Sequence, residues 1–434
     1  MRRISIVIPT YWCRARGHAG MPQDAIFDHP TPVDEEGTLG RCLESLKELR
    51  GHSFRVLLIT APVNPGLAPE VEAKIQRLIE PFSGLYPIGQ FAPSDLAAVR
   101  QSLQGKGLDP ELVSLESYAQ IRNCQILGSV LLDSDLIAAV DDDEVVPPDY
   151  LERAVRSVDR MEGRPEEGAA AGAAAEEGVA AGAAQAAAGP AGSGPAGLAG
   201  IYLDAAGDYR LKVSAEEAAS TNRFIRKAAL INAQFDSCLS SGRRLAETPL
   251  ALGGNMVFPR RLFLEVSFDP GITRGEDIDY LINSRLFGGS WLMDTELSIT
   301  HLPPKAAPGD PLTTTPYGKL QRDVLRFVYE RRKIRISQER ADLHPLSPND
   351  FGIYPGELLG EELEEQALEA LEKTRPPGAD ERFFPRPERV LGQARLRARQ
   401  AGEYPAFNKA WKQLLEAVDS DGELKERMRR KLGL

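Results

Sequence analysis

A chain of 434 residues is long enough for two or three domains with a sizeable core, and a net charge of −11 excludes a general nucleic-acid binder, whose affinity comes from a basic surface. Four cysteines (Cys13, Cys42, Cys124, Cys238) without C-x-x-C spacing exclude a disulfide framework and a zinc ribbon, so reduced thiols and a cytoplasmic location are expected. No window approaches the roughly 20 apolar residues of a bilayer-spanning helix, so any membrane contact is expected to be peripheral.

Arg2 and Arg3 precede Ile4–Ile8, a β-branched run that Pro9 is expected to stop. It reads as a central parallel strand buried on both faces. The following loop lies at the end where α/β proteins bind ligands. There Tyr11 and Trp12 are candidates to stack on a base, and Arg14 or Arg16 to meet a phosphate. Residues 17–36, rich in Gly, Pro, His and Asp, read as a long loop on the site rim. Leu39, Leu43, Leu46 and Leu49 share a helical face, Phe54–Thr60 reads as a second strand, and Val71, Ile75, Leu78, Ile79 and Phe82 mark a second helix. Residues 83–110 read as irregular. Ser117–Leu132 reads as a helix leading into the apolar strand Leu136–Val140, and the alternation implies an α/β fold with a largely parallel sheet.

That last strand ends in Asp141, Asp142, Asp143 and Glu144, and Pro147 and Pro148 forbid the ladder from continuing. Carboxylates this close repel one another, and burying them unpaired costs several kcal/mol each. A cation removes that penalty, and hard oxygen ligands suit Mg²⁺ or Mn²⁺. Asp141 and Asp143, two apart on an extended segment, point the same way, as a metal–diphosphate site requires. The competing reading is a solvated acidic turn.

Residues 162–200, nearly all Ala, Gly, Glu and Pro, have no apolar face and are expected to form a linker. Gly200–Val213 reads as two strands around a turn, and Ala218–Leu239 as helical. Beyond Pro311 come a helix carrying Leu320, Val324, Phe327 and Val328, a Pro-rich segment, an acidic helix and a basic tail. In the tail Leu424, Met428 and Leu432 follow one another at helical spacing, and this face is expected to dock on the protein, with Phe407 and Trp411 upstream.

Six pieces in order carry a resemblance: I-S-I-V-I-P-T-Y, I-R-N, D-D-D-E, L-G-G-N-M with F-P-R-R, G-E-D-I-D-Y-L, and His301 after a β-like run. Together they resemble the nucleotide-sugar glycosyltransferases of the GT-A fold, most closely family 2, across residues 4–152 and 200–301. The resemblance implies a GT-A domain over residues 1–305, Rossmann-like with a mostly parallel sheet, and a helical extension over 306–434. It implies Mn²⁺ or Mg²⁺ held by Asp141, Asp143 and His301. Asp277 takes the place of the catalytic base that deprotonates an acceptor hydroxyl, with Glu276 beside it on the acceptor. Pro9, Thr10, Tyr11, Arg122, Asp142, Gly253 and Gly254 fall around the nucleotide-sugar donor, the two glycines where backbone approaches the sugar closely. Direct attack opposite the diphosphate inverts the anomeric centre.

Two departures bear on substrate. The second strand runs into L-L-I-T-A-P-V-N-P, without the carboxylate that usually reads the base, so the donor nucleotide stays open. The Q-x-x-R-W signature of processive synthases is absent, which favours single additions to an acceptor hydroxyl. Other readings are a retaining GT-A enzyme of the glucosyl-phosphoglycerate or mannosylglycerate synthase kind, and a non-catalytic nucleotide-sugar-binding protein.

Overall fold

A computed structural model describes residues 2–15, 27, 30–164, 194–304 and 315–434. Arg16, most of the rim loop, residues 165–193 of the low-complexity stretch and residues 305–314 lie outside the described residues. One mixed sheet organises the chain. Its strands are β1 (Ile4–Cys13), β2 (Thr31–Pro32), β3 (Phe54–Pro62), β4 (Ile88–Phe91), β5 (Leu136–Ala139), β6 (Glu144–Val145), β7 (Ala196–Leu203), β8 (Leu245–Glu247), β9 (Met256–Pro259) and β10 (Ser290–His301). They run in the order β4-β3-β1-β5-β9-β7-β10-β6, with β2 beside β1 and β8 beside β10. The β4-β3-β1-β5 part is parallel, and β9 joins β5 antiparallel. This is the expected α/β architecture, largely parallel at its N-terminal end, followed by a helical extension.

Pro9 does not stop β1, which continues in register with β3 to Trp12. Val7 O accepts from Val140 N, so residue 7, and residue 9 two positions on, face β5. Pairing to β5 ends at Val7, so the N–H that Pro9 lacks would have met no partner. Open α/β sheets bind ligands in the crevice at the C-terminal ends of their strands, and that is where β1 and β5 stop pairing.

Helices α1 (Leu39–Leu46), α2 (Ala68–Ile79), α3 (Pro93–Gly105), α4 (Tyr118–Leu131) and α5 (Tyr150–Met161) accompany the sheet. The supposedly irregular stretch 83–110 thus holds β4 and α3. A four-residue strand between loops is too short for its periodicity to show. β7 begins at Ala196, inside the stretch expected to be a linker, and a Cβ at Gly197 would lie 2.6 Å from the buried Trp291 ring. The second strand expected before Val213 is absent; Asp204 instead caps a turn by accepting from Ala206 N and Asp208 N.

After α6 (Lys227–Leu239) comes α7 (Glu276–Leu286), on which the rest depends. Tyr280 and Leu281 belong to the core around the sheet, whereas Ile278, Ile282 and Leu286 belong to a second core. That second core is completed by α8 (Pro316–Glu339), α9 (Leu363–Thr374) and α10 (Pro387–Ala398), through Val324, Phe327, Leu363, Leu371, Val390 and Leu391. Each such side chain contributes about 1.5–3 kcal/mol when fully buried, so α7 is clamped from both sides.

The chain closes with α11 (Tyr404–Asp419) and α12 (Gly422–Lys431). Leu424, Met428 and Leu432 are buried in the sheet's core, as the docked-helix reading expects. The tail's cations are paired as well: Lys425 and Arg429 on Asp133 at 2.6 and 2.5 Å, and Arg427 on Asp95 at 3.0 Å. Glycine is needed at 89 because a Cβ there would come 2.8 Å from the Lys431 carbonyl. Among the described residues no helix is long and apolar enough to cross a membrane.

Candidate functional site

β5 delivers Val140 into the acidic turn, and the two-residue β6 turns back to pair antiparallel with the end of β10. Its register sets His301 opposite Glu144 and Thr300 opposite Val145. That register, rather than any nearness in sequence, brings the imidazole to the turn: His301 Nε2 lies 3.2 Å from Asp143 Oδ2. Leu302 N also donates to the Asp143 carbonyl at 2.9 Å.

Arg122, on the buried helix α4, joins the two acidic groups of the site. Its guanidinium lies 2.9 Å from Asp141 Oδ1 and 3.3 Å from Glu276 Oε1, while Nη1 has no hydrogen-bond partner. The Asp141 carboxylate therefore faces a guanidinium, not Asp143. Among the described residues no group of three His, Cys, Asp or Glu side chains is arranged to hold a metal ion. The expected set is split: His301 and Asp143 meet, and Asp141 is engaged by Arg122.

Asp142 accepts from Thr10 Oγ1 at 2.7 Å, and Thr10 in turn accepts from Trp12 Nε1 at 2.9 Å. Trp12 is fully buried, so it ties β1 to the acidic turn and has no face open to a base. Tyr11 packs its ring on Phe27 and Tyr118, with centroids 4.5 and 5.3 Å away, and its buried hydroxyl has no partner. Pro9 borders the crevice for the reason given above.

At the start of α7, Asp277 accepts from Gly253 N at 3.0 Å and from Ile278 N at 2.8 Å. The glycines differ from expectation, because the space beside them is filled by protein. A Cβ at Gly253 would lie 2.3 Å from Arg122 Nη2, and one at Gly254 would lie 2.2 Å from Glu144 Oε1. Both glycines let the loop close on the site's own charged side chains.

Glu144 and Tyr202 are site residues to which sequence reasoning assigned no role. Glu144 is fully buried and accepts from Asp141 N at 2.8 Å, which holds the acidic turn closed. The Tyr202 hydroxyl accepts from Gly254 N at 2.6 Å, and its ring lies 5.2 Å from His301. The signal for Glu144 was its place as fourth acid in the run. Tyr202 has none, since it is brought in by the sheet.

Burial dominates the electrostatics. It raises Asp142 to about 7, with the charges of Asp143 and Asp141 adding to the effect and the Thr10 hydrogen bond opposing it. It raises Glu276 to about 7 as well, helped by Asp277 and partly offset by Arg122. Glu144 goes well above the usual carboxylate range through burial and the charge of Asp141. Burial alone would lower His301, but the hydrogen bond to Asp143 together with the charges of Asp143 and Asp141 more than offsets that, and the imidazole is raised. Burial and mutual repulsion thus raise several carboxyls here, and such groups cluster at functional sites.

No protein-family model matches the chain, and no curated protein matches it. Among solved structures it is similar to a mannosyltransferase from Pyrobaculum calidifontis in complex with GDP-mannose and Mn²⁺, with 13% identity, 94% of this chain and 86% of that chain covered, and a TM-score of 0.43. It is also similar to a mycobacterial protein, with 14% identity, 75% and 74% coverage and a TM-score of 0.34. At these values neither likeness assigns this chain a family or an activity.

The donor types a hard divalent cation takes are near one another, though not gathered: Asp143 and His301 adjoin, Glu144 Oε1 is a buried oxygen without a hydrogen-bond partner, and Asp141 Oδ1 is held by Arg122 at 2.9 Å. Excess buried negative charge beside them is what such an ion neutralises. Opposite them, Asp277 offers a carboxylate whose orientation two backbone amides hold.

Proposed function

We propose that this chain is a metal-dependent glycosyltransferase that moves a sugar from a nucleotide-diphosphate sugar to an acceptor hydroxyl. The observation that carries the reading is the meeting, beside the open ends of β1 and β5, of two acidic groups bridged by Arg122: Asp141–Glu144 with His301, and Glu276 with Asp277. Mn²⁺ or Mg²⁺ would be held by Asp141, Asp143 and His301, and bound there it would supply positive charge to the leaving diphosphate.

In this reading Asp277 takes the acceptor proton as the hydroxyl oxygen attacks the anomeric carbon. The bond from that carbon to the diphosphate oxygen breaks, and its electron pair leaves with the nucleotide. Asp277 sits in the first turn of α7, and the amides of Gly253 and Ile278 fix which lone pairs it presents. Attack opposite the diphosphate gives inversion. Arg122, with a free Nη1 between the two groups, meets phosphate charge as it develops. Glu276, half-neutral near pH 7, hydrogen-bonds acceptor hydroxyls.

The test is release of nucleoside diphosphate from UDP- and GDP-sugars in the presence of Mn²⁺. Release that EDTA abolishes and that Asp143→Ala lacks is the expected result. Tight Mn²⁺-dependent diphosphate binding with no release from any sugar nucleotide would instead mean a binding protein.

A further inference from the structure

Arg326, on α8, is 4% exposed. Glu330 pairs with it loosely, at 3.6 Å, and neither the Glu330 oxygens nor Arg326 Nε has a hydrogen-bond partner. A guanidinium so weakly paired in a core is costly to bury. Its fit is to a backbone turn. Nη1 points to the Gly275 carbonyl at 3.5 Å, Nη2 donates to the Tyr354 hydroxyl at 2.8 Å, and the Phe327 ring lies 4.2 Å from Cζ.

Gly275 is the N-cap of α7 and has φ of +73°, the left-handed region. A Cβ there would lie 1.7 Å from Arg326 Nη1, so the guanidinium occupies the space that any other residue at 275 would need. The next two residues are Glu276 and Asp277. Farther along the same pair of helices, Lys333 Nζ lies 2.7 Å from Asp279 and 2.8 Å from Asn283 Oδ1. From 326 to 333 α8 rises about 10.5 Å, and from 275 to 283 α7 rises about 12 Å, so both contacts belong to one side-by-side packing. Lys333 fixes the body of α7. Arg326 fixes the turn that precedes it.

We propose that Arg326 is a positioning residue: it holds the left-handed turn at Gly275 that aims Glu276 and Asp277, so the helical extension sets the geometry of the acidic pair. The kinetic consequence rests on the transferase reading above; the effect on the turn does not.

Arg326→Met and Arg326→Lys in the full chain test it by two readouts. In sugar transfer, Arg326→Met is expected to lower kcat by about tenfold or more with donor KM unchanged, and Arg326→Lys to recover part of the loss. By hydrogen–deuterium exchange, the amides of residues 275–279 are expected to exchange faster in Arg326→Met, while those of β1 and β5 do not change. Wild-type kcat in Arg326→Met, unchanged exchange at 275–279, or faster exchange throughout the chain would each overturn the proposal. If the wild type turns over no sugar nucleotide, the transferase reading falls and the exchange pattern alone decides. Should Arg326→Met fail to fold, Tyr354→Phe, which removes only the Nη2 partner, is expected to show the same local exchange pattern; protection equal to wild type would overturn the idea.

Discussion

Two groups of buried acids meet α7, and they hold their cations differently. Under its body, Asp269 and Asp279 hold Lys333 at 2.6 and 2.7 Å, with Tyr329 donating to Asp269 and Asn283 to Asp279. Burial alone would lower Lys333, but the two carboxylates more than offset it, so the ammonium is retained. At its N-terminus, Asp141, Asp142, Asp143, Glu144 and Glu276 have Arg122 and His301 for direct side-chain cations. The first group sets one ammonium against two carboxylates, hydrogen-bonded to both, and burial still raises Asp279 to about 6. In the second, Arg122 Nη1 stays without a hydrogen-bond partner, and a divalent cation would add positive charge.

Lys333→Met should give the largest effect. Leaving Asp269 and Asp279 buried without their ammonium is expected to destabilise the fold by about 3–5 kcal/mol in urea unfolding. A loss under about 1 kcal/mol would break the contrast between the two groups.

On the other side, Asp277→Asn is expected to lower turnover by about 10²-fold, near 2.7 kcal/mol of barrier, with Mn²⁺-dependent diphosphate binding intact by calorimetry. Near-normal turnover would reduce Asp277 to a helix cap.

The buried acids have a pH signature in metal-free protein. Asp142 and Glu276 titrate at about 7 and Asp279 at about 6 when folded, against about 3.9, 4.3 and 3.9 when unfolded. The folded state therefore binds more protons between those values, and their contribution makes stability fall as pH rises through that window. Urea midpoints in EDTA are expected to be higher at pH 5 than at pH 8, and saturating Mn²⁺ with diphosphate should flatten the slope. A midpoint that rises toward pH 8 would show that the acids are compensated after all.

The smallest effect is expected from the low-complexity stretch, whose sequence has no apolar face to bury. Deleting residues 165–193 should leave turnover unchanged and shift the melting temperature by less than about 2 °C. The deletion must stop before Gly194, because a Cβ there would lie 1.9 Å from the Gly288 carbonyl. A larger shift would show that the stretch packs on the fold.

β1, β5 and α4 were legible in the chain because each is a local pattern: a β-branched run, a short apolar strand before acids, and a mostly apolar stretch of helical length. Asp141–Asp143 and Glu276–Asp277 stood out because carboxylates at such density need a reason. What could not be read is which charge meets which. Arg122 stands between Asp141 and Glu276, 154 residues from the latter, and Arg326 reaches a carbonyl 51 residues away. Gly253 and Gly254 were seen as special, but that Arg122 and Glu144 crowd them follows from the β5–β9 and β6–β10 registers. Trp12, Tyr202 and β4 carry no local mark of their places either. Periodicity and carboxylate repulsion act over a few residues, so the sequence alone determined most of the elements and where acids crowd. Partner choice depends on how strands and helices far apart in the chain are registered, and only the folded sheet with α8 against α7 decided it.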